Sequence, residues 1–384
     1  MKKLLQAQSP ARLISLGFAA VILIGSVLLI LPCSVREGVE LKYIDSLYTS
    51  TSAVCVTGLI AVDAGDTFTP IGQFFLALLI QIGGLGVTSI GAGVILAMGR
   101  KLDLKSRRLI REASNLDSNK GIVRFIKSVL LTTFIIEFIG AVLSFFVFIQ
   151  DYPLQKAIGI SLFHSVAAFN NSGFDILGNL QNLIPYQNNI MLNLVTCGLI
   201  FFGGIGFLVI REMWQYRLSF RKYSMHAKVV LSVSGVLIIV GTLLLKLTEN
   251  VTWLGAFFHS VSARTAGFST YPLGTFSNAG LLVLTALMFI GASPGSTGGG
   301  IKVSRLIMAV KSIKREIQQM VHPKSVNIIR VNGKKVSSDV IRTVYIYLIA
   351  YALIFMLSVM IVAVDNFDFT TTFSAVLTAI GNVG

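Results

Sequence analysis

Ala168-Phe169-Asn170-Asn171-Ser172-Gly173-Phe174 interrupts an apolar stretch with a short polar loop that ends in glycine and a large apolar residue. The pattern recurs as Ala53-Val54-Cys55-Val56-Thr57-Gly58-Leu59 and Ala263-Arg264-Thr265-Ala266-Gly267-Phe268. A fourth copy, Ala379-Ile380-Gly381-Asn382-Val383-Gly384, closes the chain. The terminal glycines are 115, 94 and 117 residues apart. Glycine also favours close helix packing, which would explain one such loop. Four polar breaks at comparable spacing, each between long apolar segments, predict four quasi-equivalent walls around one pore.

The rest of the composition agrees. Of 384 residues, 54% are hydrophobic and only 13% charged, against about 25% charged in a soluble domain. Mean hydropathy is +0.78. Apolar segments of spanning length lie near 12–32, 69–98, 123–149, 188–210, 229–247, 278–310 and 341–364. With the N-terminus in the cytoplasm, 27 of the 32 lysines and arginines fall on the inner side, from Lys2, Lys3 and Arg12 through Lys120 and Lys324 to Arg342. That bias sets the orientation and accounts for the net charge of +15 without nucleic acid, because anionic lipid suffices. The outer segments carry ten acids, among them Asp63, Asp66 and Asp175, against five bases. The outer face is therefore net negative and concentrates cations. Cys33, Cys55 and Cys197 have no metal-ligand spacing and predict no disulfide framework. The first apolar segment is longer than a signal-peptide core and is read as a retained helix.

Each loop is preceded by about ten apolar residues, at 43–54, 154–174, 252–263 and 368–379, too short to span a bilayer but suited to a re-entrant helix. Phe163-His164-Ser165-Val166 and Phe258-His259-Ser260-Val261 match, which is evidence of internal duplication. The unit is helix, re-entrant helix, glycine loop, helix. The divisions are 1–99 for the first repeat, 100–228 for a linker and the second, 229–310 for the third, and 311–384 for a linker and a truncated fourth. Arg330 to Lys335 reads as a hairpin around Asn332-Gly333 or as disorder.

A dehydrated cation needs a cage of oxygen dipoles, which backbone carbonyls supply. The expected ligands are the carbonyls of Val56-Thr57-Gly58, Asn171-Ser172-Gly173, Thr265-Ala266-Gly267 and Asn382-Val383-Gly384. In the sixth span, Gly291-Ala292-Ser293-Pro294-Gly295-Ser296-Thr297-Gly298-Gly299-Gly300 cannot remain helical. A nucleotide P-loop would need Gly-Lys-Ser/Thr at its end, and Ile301 stands before Lys302. Arg264 pairs with an acid, for which Asp63 and Asp175 are candidates, or caps carbonyls of its helix. Glu137 is a mid-span acid, read as buried and hydrogen-bonded rather than part of a relay. His164 and His259 are read as packing groups. Gly83-Gly84-Leu85-Gly86 and Gly203-Gly204-Ile205-Gly206 are read as helix-packing points.

These loops resemble those of the Trk/Ktr/HKT superfamily of potassium transporters, most closely the bacterial Ktr-type membrane subunits. Ser262 to Phe268 and Ala168 to Phe174 carry the resemblance best, and it covers the whole chain. It implies an all-α polytopic membrane protein with four pseudo-symmetric helix–pore loop–helix repeats, potassium uptake across the bacterial plasma membrane, and no enzymatic step. It also implies that Gly291 to Gly300 is an intramembrane gate with Lys302 at its cytoplasmic edge. A homodimer on a cytosolic ring of nucleotide-binding, KtrA/TrkA-like regulatory subunits is expected, with no cofactor in this chain, potassium as cargo and sodium as an activator. The family continues into an eighth helix bearing a basic residue, so the sequence as written is expected to be a fragment ending in its fourth wall. A sodium- or proton-coupled secondary transporter, a Trk-type or sodium-conducting relative, and a membrane enzyme built on the 291–300 loop are the rivals. Like-oriented repeats and the single mid-span acid disfavour the first.

Overall fold

The computed structural model describes residues 9–113, 121–217, 219–322, 329–331 and 334–384. Lys2, Lys3, Lys120 and Lys324 of the basic set, and Asn332-Gly333 of the expected hairpin, lie outside them.

Four long apolar helices recur: α1 (Pro10–Ile30), α5 (Ile122–Phe148), α9 (Met225–Thr248) and α13 (Ser338–Val362). Each is followed by a short one: α2 (Tyr43–Cys55), α6 (Leu154–Phe169), α10 (Trp253–Ser262) and α14 (Phe369–Gly381). Then come the second helices of the first three units. These are α3 (Pro70–Leu85) with α4 (Val87–Ala97), α7 (Ile190–Ile205) with α8 (Phe207–Tyr216), and α11 (Asn278–Phe289) with α12 (Val303–Val321). Their starts are written in side-chain caps. Thr69 accepts from the Gly72 amide ahead of Pro70, Asn189 from Leu192, and Ser277 from Gly280. Arg330–Val331 and Lys334–Lys335 pair antiparallel, so the hairpin reading holds for the described residues on either side of 332–333.

One contact repeats three times. Ser50 donates to the Ile22 carbonyl (2.7 Å), Ser165 to Glu137 (2.6 Å) and Ser260 to Ile238 (2.9 Å). Three residues after each acceptor stands a glycine, Gly25, Gly140 or Gly241, where a Cβ would collide with the same serine Oγ. In an apolar environment, helices associate through such small-residue notches and interhelical hydrogen bonds, because burial alone supplies little. The Phe-His-Ser-Val identity is thus a docking motif for the short helix. In the fourth unit Val376 takes this place and packs with Phe355 and Leu377.

The segments 69–98 and 188–210, expected as single spans, are each broken. α3 and α4 meet at 102°, and α7 and α8 at 103°. The cause is the backbone of Gly86 (φ 81°, ψ 135°) and Gly206 (φ 90°, ψ 146°), a region accessible essentially to glycine alone. The preceding Gly83 and Gly203 are packing points as read: a Cβ there would overlap the carbonyls of Val54 and Phe169. The third unit places residues 290–302 at the corresponding break between α11 and α12.

Candidate functional site

The short helices end in tight left-handed turns. Val56 (φ 57°), Asn171 (φ 58°) and Asn382 (φ 52°) take that conformation, followed two residues later by Gly58, Gly173 and Gly384, also at positive φ. The turns return backbone amides to the helix: Thr57 N to Ser52 O (2.8 Å), Ser172 N to Ala167 O (2.9 Å) and Val383 N to Thr378 O (3.1 Å). Asparagine tolerates this region, whereas a β-branched valine does so at a cost. The third loop bends without a left-handed residue before Gly267 (φ 75°).

The four loops close on one another. Gly58 lies against the Ser172 carbonyl, Gly173 against Ala266, Gly267 against Val383, and Gly384 against Thr57. A Cβ on Gly173 would stand 2.6 Å from Ala266 O, and one on Gly384 2.7 Å from Thr57 O. The order therefore runs through the first, second, third and fourth loops and back to the first, with four carbonyl oxygens in one ring. Side chains bond adjacent loops. Thr57 Oγ1 donates to Asn382 Oδ1 (3.0 Å), and Thr265 Oγ1 lies 3.0 Å from the Asn171 amide. With its nitrogen donating to Ala168 O and Ile200 O, the Asn171 oxygen accepts from Thr265. Behind the glycines, Phe174 and Phe268 are buried and anchor the second and third loops.

Residues 291–300 form a non-helical loop seated on the residues that precede those glycines. Thr297 donates through Oγ1 to Phe169 O (3.2 Å), Gly298 abuts Thr265, and Gly299 abuts Gly381 and Asn382. The loop also occupies the α7–α8 break: Ser293 N donates to Gly204 O (3.0 Å) and Phe207 N to Gly295 O (3.1 Å). It holds itself together through Gly291 N to Ile301 O and Ala292 N to Gly299 O. Lys302, expected at an edge, folds back and donates to the Gly298 and Gly299 carbonyls. A cavity of about 170 Å³ adjoins the loop, lined in part by Gly86, Ser89, Phe125, Phe207, Ser296 and Thr297.

Arg264 bonds to no acid among the described residues. Its Nη2 donates to Ser234 Oγ (3.3 Å) and to Gly291 O (3.4 Å), so the carbonyl it reaches belongs to the 291–300 loop rather than to its own helix. Asp63 and Asp175 are engaged elsewhere. Asp63 accepts from Gly65, Asp66 and Leu180 amides, and Asp175 from Leu177 N and Asn182 Nδ2. His164 bonds Thr196 (2.9 Å) and meets Phe148 and Phe268 edge-on, while His259 packs against Tyr271 and Phe276.

Sequence reasoning missed Asn182. Its amide donates to Gly173 O (3.3 Å) and Asp175 Oδ2 (3.1 Å) and accepts from Leu183 N and Ser269 N, fastening the second loop to the segment after the third. The run of asparagines at 179 and 182 was the available signal, and both take positive φ.

The TrkH family model, described as a cation transport protein, matches residues 10–229 and 227–384. The chain belongs to the TrkH family. Its relatives include the potassium/sodium uptake protein NtpJ of Enterococcus hirae, 38% identical over 79% of this chain and 69% of that one. Ktr system potassium uptake protein B of Vibrio alginolyticus is 36% identical over 81% and 70%, and protein D of Bacillus subtilis 32% identical over 100% and 87%. The fold is that of the potassium transporter TrkH from Vibrio parahaemolyticus, with a TM-score of 0.76 across 98% of this chain and 77% of that one at 22% identity. This TrkH-family chain is therefore a multi-pass, mainly helical membrane protein, as its composition implied.

At the rim of the ring, burial, with Asp63 and Asp66 nearby, pushes the Asp175 carboxyl up to about 6. The folded chain thus holds that proton more tightly than the unfolded chain, whose aspartates titrate near 3.9. Stability falls as pH rises from about 4 to about 6 and is level above that window. Asp175→Asn should remove this slope, so the melting temperature of the variant relative to the parent should climb between pH 4 and pH 6.

Proposed function

We propose that this chain is the pore-forming subunit of a bacterial potassium-uptake system. The observation that carries the reading is the closed ring of Gly58, Gly173, Gly267 and Gly384 with four backbone carbonyls in its wall. Fixed carbonyl dipoles replace the water a potassium ion sheds on entry, at the Val56–Gly58, Asn171–Gly173, Thr265–Gly267 and Asn382–Gly384 segments. Below the ring, the 291–300 loop, seated on Phe169, Thr265 and Asn382, gates the exit of the ion.

The positive-inside bias supports an orientation with the N-terminus in the cytoplasm and the acidic segments outside the plasma membrane. An inside-negative potential of 100 mV contributes about 2.3 kcal/mol per charge toward uptake. Outside itself and the adjoining Ile301, Lys302 and Val303, the loop is held by single hydrogen bonds with Phe169, Gly203, Gly204, Phe207 and Arg264, a set small enough for an element whose two positions differ by a few kcal/mol. A homodimer with a cytosolic nucleotide-binding regulatory ring fits relatives named as components of a Ktr system. No bond is made or broken in this scheme, and nothing in it needs a cofactor beyond the transported ion. Sodium as a second cargo or activator is favoured by one observation, the potassium/sodium name of the Enterococcus relative. Flux tests the reading: liposomes carrying the purified protein should take up potassium and rubidium in preference to sodium.

A further inference from the structure

Glu137 looked isolated in its own helix, but the fold supplies it with partners from two other elements. Asn170 immediately precedes Asn171-Ser172-Gly173, and its side chain turns into the wall between α3 and α5. Its amide nitrogen lies 2.8 Å from Gln81 Oε1, 3.1 Å from Glu137 Oε1 and 2.9 Å from Val166 O. Asn170 is fully buried and Glu137 is 9% exposed. The Asn170 oxygen rests against Gly84, where a Cβ would overlap it, so α3 contributes both an acceptor and a notch.

An amide offers two hydrogens, and three acceptors surround this one. The Glu137 carboxyl oxygen is the acceptor that α5 supplies. The corresponding positions of the other loops have nothing similar among the described residues. Cys55 is exposed, Arg264 reaches Ser234 and Gly291 O, and Gly381 has no side chain. The second loop holds two positive-φ residues, Asn171 and Gly173, within three positions. The first and fourth loops share that backbone without such a bracket, so here the bracket is an added restraint on the carbonyls of this loop rather than a condition of its shape. Gln81 and Glu137 line a largely apolar recess with Leu85, Leu130 and Phe134 that contains none of the ring residues, so the bracket holds the loop from behind.

We propose that Glu137, together with Gln81, is a positioning residue for ion selectivity, holding Asn170 and through it the carbonyls of Asn171 to Gly173. The proposal rests on the reading of the glycine ring as the selective element. Competitive potassium and sodium flux in liposomes tests it, with melting temperature and monodispersity measured on each variant. Glu137→Leu is expected to lower the potassium preference about tenfold, the scale of one buried hydrogen bond. Glu137→Gln, which retains an acceptor oxygen, should recover selectivity to within about twofold of the parent. Asn170→Leu should match Glu137→Leu, and the double variant should be no worse than either, because all three break one linkage. If Glu137→Leu does not fold, Gln81→Leu takes its place with the same direction expected.

A folded Glu137→Leu or Gln81→Leu protein with parental selectivity overturns the proposal. So do additive effects in the double variant. Gly173→Ser in the same assay separates the two layers. If it shifts selectivity while the Glu137 and Gln81 variants do not, only the bracket is lost. If none of them shifts selectivity, the ring reading fails as well.

Discussion

Serine in place of Gly173 is expected to cost the protein most of its discrimination between potassium and sodium. Gly173 sits at φ 70°, where a residue with a Cβ is strained by about 1–2 kcal/mol. The new Cβ would also stand 2.6 Å from the Ala266 carbonyl, and that oxygen belongs to the ring. The second and third loops must separate, and separation changes the spacing of the carbonyl dipoles proposed to select the ion. Since 1.4 kcal/mol is a factor of ten, the potassium-over-sodium uptake ratio should fall by about tenfold or more, with total cation flux retained. Uptake of each ion in competition measures it. An unchanged ratio would remove Gly173 from the selective element.

Deleting Ser296-Thr297-Gly298 is expected to produce the second large effect, a rise in basal flux. This segment holds Thr297 on the carbonyls of Phe169 and Gly203 and presents Gly298 to Thr265. Its loss shortens the loop and removes its seat beneath the glycine ring. If closed and open positions differ by a few kcal/mol, losing two or three such bonds is enough to raise flux about tenfold. Efflux of preloaded rubidium from liposomes reads this directly, and flux equal to that of the parent would sink the gate assignment.

Much of this architecture was legible in the chain because it depends on local grammar. Polar residues ending in glycine within an apolar stretch mark a loop at membrane depth, and the ten to sixteen residues before them are too few to span. Those features gave four loops and four short helices at the right positions. The breaks at Gly86 and Gly206 escaped notice because a glycine that packs a helix and one that ends it look alike in sequence. Only the backbone angles distinguish them. The pairing of Ser50, Ser165 and Ser260 with glycines on the long helices was hidden for another reason. Each serine stands 19 to 25 residues from its glycine and 22 to 28 from the carbonyl it bonds, and serine is unexceptional in a membrane helix.

Long-range polar contacts were the least visible. Asn170 and Gln81 are 89 positions apart, and Thr57 and Asn382 are separated by 325. No periodicity connects such pairs. Arg264 illustrates the same limit from the other direction. Charge alone pointed to Asp63 or Asp175, yet those acids serve backbone amides and an asparagine, and the guanidinium turns to a serine and to the Gly291 carbonyl. A buried polar group is satisfied by what the fold brings near it, not by its nearest opposite charge in sequence.

Potassium and sodium flux, measured side by side in liposomes that contain only this purified protein, bears most directly on the glycine ring as a potassium-selective pore. Folded protein should admit potassium and rubidium well ahead of sodium, and the preference should collapse in Gly173→Ser. Folded protein that admits neither ion, or both equally, would contradict it.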